Sequence, residues 1–253
     1  MPRAPRQQSE SGFYHLYSRG SCRQIIYEDA DDRLEFLRCL ATALERGDTM
    51  LYAYCLMGNH YHMVVKSSLE GLASFAHDLN CPYANYFNKR HERTGHLFEG
   101  RFCSQPITGD EHFLAAVRYV HRNPVEPGIT STCEYDWSSY DAYVHPERYD
   151  GIVPVHAGLA LDLLGSQKAF EEFHSHPGKE TFIDDRLDFK SVTEPEMISV
   201  ARNALNGFDP SGLKALSKPA RIRGLNLLRS VGLTPTQISL ITGISRSTIY
   251  RTK

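Results

Sequence analysis

The stretch MGNHYHMVV, residues 57–65, sets two histidines one residue apart inside an apolar, β-branched run. Successive side chains of a β-strand point to opposite faces. His60 and His62 therefore share one face, and Tyr61 and Met63 the other. Two neutral imidazoles on one face can share a divalent metal, but a site needs at least a third ligand from elsewhere in the chain. The plainer reading is a pair of half-exposed strand histidines bonded to their neighbours. Gly58-Asn59, just ahead of the pair, marks a bulge or bend in what otherwise reads as one long strand, LYAYCLMGNHYHMVVKS.

Outward from this strand, FYHLYSRGS (13–21) alternates aromatic and polar residues as a strand does and ends in a Gly/Ser turn. Leu34, Leu37, Leu40, Ala41 and Leu44 recur at helical spacing after an acidic start, and Gly47 closes that helix. A second helix follows in GLASFAHDLNCPYANYFNKRH, its apolar stripe broken by Pro82. GHLFEGRFCSQPI reads as a strand or hairpin, and DEHFLAAVRYVHRNPV as a helix stopped by Pro124. Strand, helix, strand, helix, strand, helix predicts an α+β domain over residues 1–150, a ferredoxin-like antiparallel sheet with helices. Residues 151–190 read as a linker or extension.

Residues 191–253 read as an all-α domain. Thr234 serves as N-cap with Pro235 at the first helical position, and Gly243 forms a short turn before a final helix. That is helix-turn-helix grammar, in which the last helix offers Ser245, Arg246, Ser247, Thr248, Tyr250 and Arg251 to a major groove of duplex DNA. A small three-helix packing module shares the same pattern. From Ser211 to Lys253 there are eight Lys or Arg and no Asp or Glu, which favours phosphate contact although the whole chain has a net charge of only −2.

With 253 residues, 41% hydrophobic and 23% charged, the chain has the composition of a soluble globular protein. Its six cysteines show no C-x-x-C pair. They read as reduced core thiols rather than as a zinc or disulfide framework. No apolar run approaches the roughly 18 residues of a membrane span, and the first residues lack a signal-peptide core. The expected location is cytoplasmic, with no membrane partner.

A third ligand and a reactive group are both on offer in RYVHRNPV. Tyr119 and Asn123 are four apart, on one helical face. An amide oxygen suits Mg²⁺ or Mn²⁺, whose sites mix oxygen donors with imidazole. Tyr119 could then attack a phosphate that the metal polarises. The plain alternative makes Tyr119 a core residue and Asn123 a helix cap before Pro124. His121 faces away from that edge.

NHYHMVV, RTGHLFEGRF and YVHRNPV, in that order, resemble the single-tyrosine HUH transposases, especially the REP-associated tyrosine transposase-like group. The resemblance covers roughly residues 12–145. It implies that His60 and His62 bind the metal with Asn123, that Tyr119 is the nucleophile, and that the substrate is single-stranded or hairpin DNA. Strands would be cut and rejoined through a 5′-phosphotyrosine.

Arg93, His96, Arg101 and Phe102 are candidates for holding backbone phosphate or stacking a base, and Arg19 for reaching DNA. A packed hairpin with solvated arginines accounts for the same residues. Two rival readings stand beside the transposase: a transposase-derived DNA-binding regulator with little or no catalysis, and a metal-dependent nuclease that uses water. The chain is expected to be a monomer or a homodimer.

Overall fold

The run read above as one long strand folds back on itself. β2 (Met50–Leu56) and β3 (His60–Lys66) are antiparallel partners, and the Met57 N–H donates to the His60 carbonyl at 2.9 Å across Gly58 and Asn59. Gly and Asn suit a two-residue hairpin connection, so the pair that suggested a bulge is the turn itself. The irregularity in pairing lies elsewhere, between Leu51 and Ala53, where the register shifts.

The computed structural model describes residues 6–149, 151–178, 182, 198, 201–202, 204–205, 207–230, 233 and 235–251. Contacts divide the chain into two units, Met1–Asp184 and Asp185–Lys253. In the first, β1 (Phe13–Arg19) and β4 (Cys103–Pro106) complete a four-stranded sheet in the order β2-β3-β1-β4, all antiparallel. With α1 (Ala30–Glu45) and α2 (Leu69–Arg90) the chain order is β1-α1-β2-β3-α2-β4. This is the ferredoxin-like α+β arrangement expected from the sequence.

Alternation along the strands gives the sheet two apolar faces. Tyr14, Leu16, Tyr61, Met63 and Val65 pack against Phe36 and Leu40 of α1 and Leu79, Tyr83 and Phe87 of α2. On the other face Tyr52 and Val64 meet Phe113, Val117 and Val120 of α3 (Gly109–Arg122). Asp110 and Glu111 in the first turn of α3 and Arg122 in its last complement the helix dipole. The chain leaves the helix at Asn123, before Pro124, as expected.

Pro82 does not break α2, which runs unbroken from Leu69 to Arg90. The ring points to solvent, while Leu79, Tyr83 and Phe87 hold the helix to the core on the opposite side. Tertiary burial outweighs a local cost of about 3 kcal/mol.

Residues 133–175 belong to the first unit. α4 (Asp141–Val144), α5 (Gly158–Leu164) and α6 (Gln167–Ser175) follow a stretch that runs along the outer edge of β2. Leu56 N–H donates to the Trp137 carbonyl at 2.9 Å, Ser139 N–H to the Tyr54 carbonyl at 3.0 Å, and His156 N–H to the Leu51 carbonyl at 2.8 Å. The hydroxyl of Tyr143 bonds the Tyr52 carbonyl and that of Tyr135 the Leu56 carbonyl. An open strand edge is a template for pairing with other chains, and this one is closed by the protein's own backbone.

The second unit contains α7 (Lys218–Ser230), α8 (Pro235–Thr242) and α9 (Arg246–Arg251). Leu213, Leu225, Leu228, Leu233, Ile238, Ile241, Ile244 and Ile249 form its core. Gly243 takes φ +65°, a left-handed conformation that favours glycine, and lets the chain turn between α8 and α9. Thr234, the expected N-cap, lies outside the described residues, as does much of the region after 178. No described helix is long and apolar enough to cross a membrane.

Candidate active site

β1 and β3 pair directly, with Tyr17 opposite His62 and Arg19 opposite His60. Period-two alternation therefore puts His15, Tyr17 and Arg19 on the same face as His60 and His62. α3 packs on that face. Tyr61, between the two histidines, is fully buried on the other face, its ring 5.1 Å from Phe36 and its hydroxyl donating to Asn80 Oδ1 at 3.0 Å.

α3 brings Tyr119 over the histidines. Its ring centroid lies 5.5 Å from that of His62 and 5.4 Å from that of His15, nearly perpendicular to both. The His60 and His62 rings are 5.0 Å apart, also perpendicular. Tyr17 lies 4.9 Å from His62 and 5.7 Å from His60. The hydroxyl oxygen of Tyr119 and Nε2 of His62 are both shielded from solvent.

Hydrogen bonds distinguish the ring nitrogens. His62 Nδ1 meets His15 Nε2 at 2.9 Å, and His60 Nδ1 meets Asn59 Oδ1 at 2.7 Å. Burial, with a smaller contribution from His112, pushes the His15 imidazole down to about 3, so it is neutral. One turn beyond Tyr119, Asn123 is buried and its Nδ2 donates to the Tyr119 carbonyl at 3.2 Å. Its Oδ1 is then the amide atom that carries lone pairs for a cation. Two imidazoles with Nδ1 engaged and an amide with its nitrogen engaged make a donor set that fits Mg²⁺ or Mn²⁺. Among the described residues no three His, Cys, Asp or Glu side chains gather for a metal.

The other candidates fall in different places. Arg19 is beside His60 on β1 and pairs with Glu99 at 2.5 Å. The Arg93 guanidinium donates to Gln24 Oε1 and lies 5.3 Å from the Phe87 ring centroid. Gln24 Nε2 in turn donates to the Leu97 carbonyl at 2.7 Å, which ties this segment to the loop after β1. His96 and Arg101 are exposed, and Arg6 sits 3.9 Å over the Phe102 ring. In the second unit Ser245 caps α9, its Oγ 2.8 Å from Thr248 Oγ1. Arg246 is half-buried there. The side chains of Ser247, Tyr250 and Arg251 lie outside the described residues.

Of three further neighbours of the site, Tyr17 reads in the sequence as sheet core, and His15 and Phe182 are not singled out there. His15 and Tyr17 were detectable in principle from the alternation of FYHLYSR, given the strand order. Phe182 was not: its ring lies 4.9 Å from Tyr119 and 5.5 Å from His15, brought there by a region with no periodic pattern.

The segment that holds the paired histidines and the helix-borne tyrosine is similar in sequence to a known family. Residues 9–123 match the family Transposase IS200 like. This IS200-like segment holds β1 through α3 and every residue of the candidate site except Phe182. The match spans 9–123, in line with the resemblance seen in the three motifs. Two solved structures are similar. One, the structure of the REP associates tyrosine transposase bound to a REP hairpin, is 15% identical with a TM-score of 0.47, covering 61% of this chain and 89% of that one. The other, a Deinococcus radiodurans R1 protein described as a transposase, is 20% identical with a TM-score of 0.31, covering 49% of this chain and 95% of that one. No curated protein matches the sequence.

Proposed function

We propose that the IS200-like segment cuts and rejoins single-stranded or hairpin DNA through a 5′-phosphotyrosine on Tyr119. The observation that carries this reading is the placement of the Tyr119 ring against His62, 5.5 Å away on the face that also bears His60.

The Tyr119 oxygen attacks the scissile phosphorus, the bond from phosphorus to the 3′-oxygen breaks, and the phenol's proton is lost as the 3′-oxygen gains one. The phosphodiester is exchanged rather than hydrolysed, so a second 3′-hydroxyl can reverse the step and join strands. Bound Mg²⁺ or Mn²⁺, held by His60, His62 and Asn123, would supply charge stabilisation on the phosphate oxygens. The rigid sheet and α3 set nucleophile and donors before substrate arrives, which lowers the ordering cost at the reactive step. Arg19, beside His60, is the cation best placed to meet a neighbouring phosphate. In the second unit, α9 with Arg246 and Thr248 would enter a duplex major groove and raise the local concentration of substrate at the first unit.

Incubation of the full chain with a labelled hairpin oligonucleotide, a REP hairpin first, and Mn²⁺ tests the reading on a denaturing gel. A covalent adduct that disappears in Tyr119→Phe supports it. Cleavage that survives Tyr119→Phe would mean attack by water. Tight binding without cleavage would mean a regulator descended from a transposase.

A further inference from the structure

We infer that Asn59 and His15 are positioning residues that fix the orientation and tautomer of His60 and His62, presenting Nε2 of each ring to the cation. This rests on the reading of those histidines as ligands and extends it to the residues behind them.

The assignment for His60 follows from the direction of an amide. Asn59 Nδ2 donates to the Arg23 carbonyl at 3.3 Å, so its Oδ1 is the atom that faces His60 Nδ1 at 2.7 Å. An amide oxygen only accepts. His60 Nδ1 therefore carries the proton, and the lone pair is on Nε2.

The carbonyl that sets the amide is itself held in an unusual place. Cys22 and Arg23 take φ +53° and +57°, conformations that non-glycine residues rarely adopt. Such backbone persists where the surroundings enforce it. Here Gly20 N–H donates to the Asn59 carbonyl at 2.8 Å and Ile26 N–H to the Gly58 carbonyl at 3.0 Å, so the loop after β1 is clasped to the hairpin turn. At Gly20 an added Cβ would lie 2.1 Å from the Gln24 carbonyl oxygen, so only glycine fits. The loop's backbone thereby reaches His60 through a single side chain.

His62 has its own partner. His15 Nε2 lies 2.9 Å from His62 Nδ1, with the two rings stacked at an interplanar angle of 8°. Either nitrogen of this pair can hold the shared proton; placed on His62 Nδ1, it leaves the His62 lone pair on Nε2 as in His60. Histidine ligands commonly donate their second nitrogen to such a partner, and removal of the partner costs about 10- to 100-fold in metal affinity.

Titration of the full chain with MnCl₂ by calorimetry, without DNA, tests the inference. Asn59→Ala and His15→Phe should each weaken Mn²⁺ binding about 10- to 100-fold, with thermal unfolding in EDTA monitored so that misfolding is recognised. Asn59→Asp keeps an acceptor for His60 Nδ1–H and should bind far more tightly than Asn59→Ala, a rescue that a merely structural role would not give. Parent-like affinity in Asn59→Ala and His15→Phe, with binding lost in His60→Ala, would overturn the positioning roles alone. Parent-like affinity in His60→Ala would overturn the ligand reading and the inference together.

Discussion

The Tyr119 ring stands perpendicular to that of His62 with centroids 5.5 Å apart, joining a residue of α3 to one of β3 across one sheet face. A second tyrosine, Tyr61, is one residue from His62 and on the opposite face. The two tyrosines should respond differently to loss of the hydroxyl. Tyr61→Phe removes a hydrogen bond to Asn80 and should cost about 1 kcal/mol of stability, while cleavage of hairpin DNA proceeds as in the parent. Denaturant unfolding and a cleavage assay on the same preparation check this; loss of cleavage with stability retained would mean the faces are misassigned.

Phe182 occupies space beside the candidate nucleophile, 4.9 Å from the Tyr119 ring. An aromatic contact of this kind contributes about 0.5–1.5 kcal/mol, which equals roughly two- to twelvefold in a rate if the ring must leave before DNA enters. Phe182→Ala should speed adduct formation by that factor. A slower rate in single-turnover assays would make Phe182 part of the DNA platform instead.

His121 and His174 predict a pH dependence of stability. His121 Nδ1 lies 3.2 Å from His174 Nε2, and His121 Nε2 lies 2.8 Å from Ser139 Oγ. Burial, with the neighbouring His174, holds His121 well below the ordinary imidazole value, and burial brings His174 down to about 3. An unfolded histidine titrates near 6.5. Between those values the unfolded chain binds protons that the folded chain refuses. Stability is therefore complete above about pH 6.5 and falls as pH drops toward 3, by about 1.4 kcal/mol per pH unit for each proton involved. Urea midpoints at pH 7 and pH 5 should show the fall, and His174→Leu should flatten it.

Pro82 lies exposed inside α2. Pro82→Ala restores a helical N–H and should raise stability, by at most about 3 kcal/mol. The melting temperature should rise with cleavage unaffected; a lower one would show that the proline ring contributes to packing.

Much of this architecture was legible in local pattern. Alternation alone put His60 and His62 on one face and Tyr61 on the other, and four-residue spacing put Tyr119 and Asn123 on one side of a helix. The hairpin is hard to read from sequence because its arms, LYAYCL and HYHMVV, are largely apolar, with only Met57-Gly58-Asn59 between them and no longer polar loop. His15 escaped notice because strand order, which makes β1 the neighbour of β3, depends on long-range packing. Residues 133–156 bond the edge of β2 through backbone and hydroxyl groups, which imposes no repeating side-chain pattern. Pro82 shows the reverse case, a clear local signal overruled by the buried stripe around it.

In the proposed reaction Tyr119 becomes covalently joined to DNA. After reaction with a 5′- or 3′-labelled hairpin and Mn²⁺, proteolysis and mass spectrometry of the protein-bound product locate the attachment. The expected product is a 5′-phosphoryl nucleotide on the peptide that contains Tyr119, with a free 3′-hydroxyl on the released strand. Attachment at any other residue, or cleaved DNA bearing a free 5′-phosphate with no protein adduct, would contradict it.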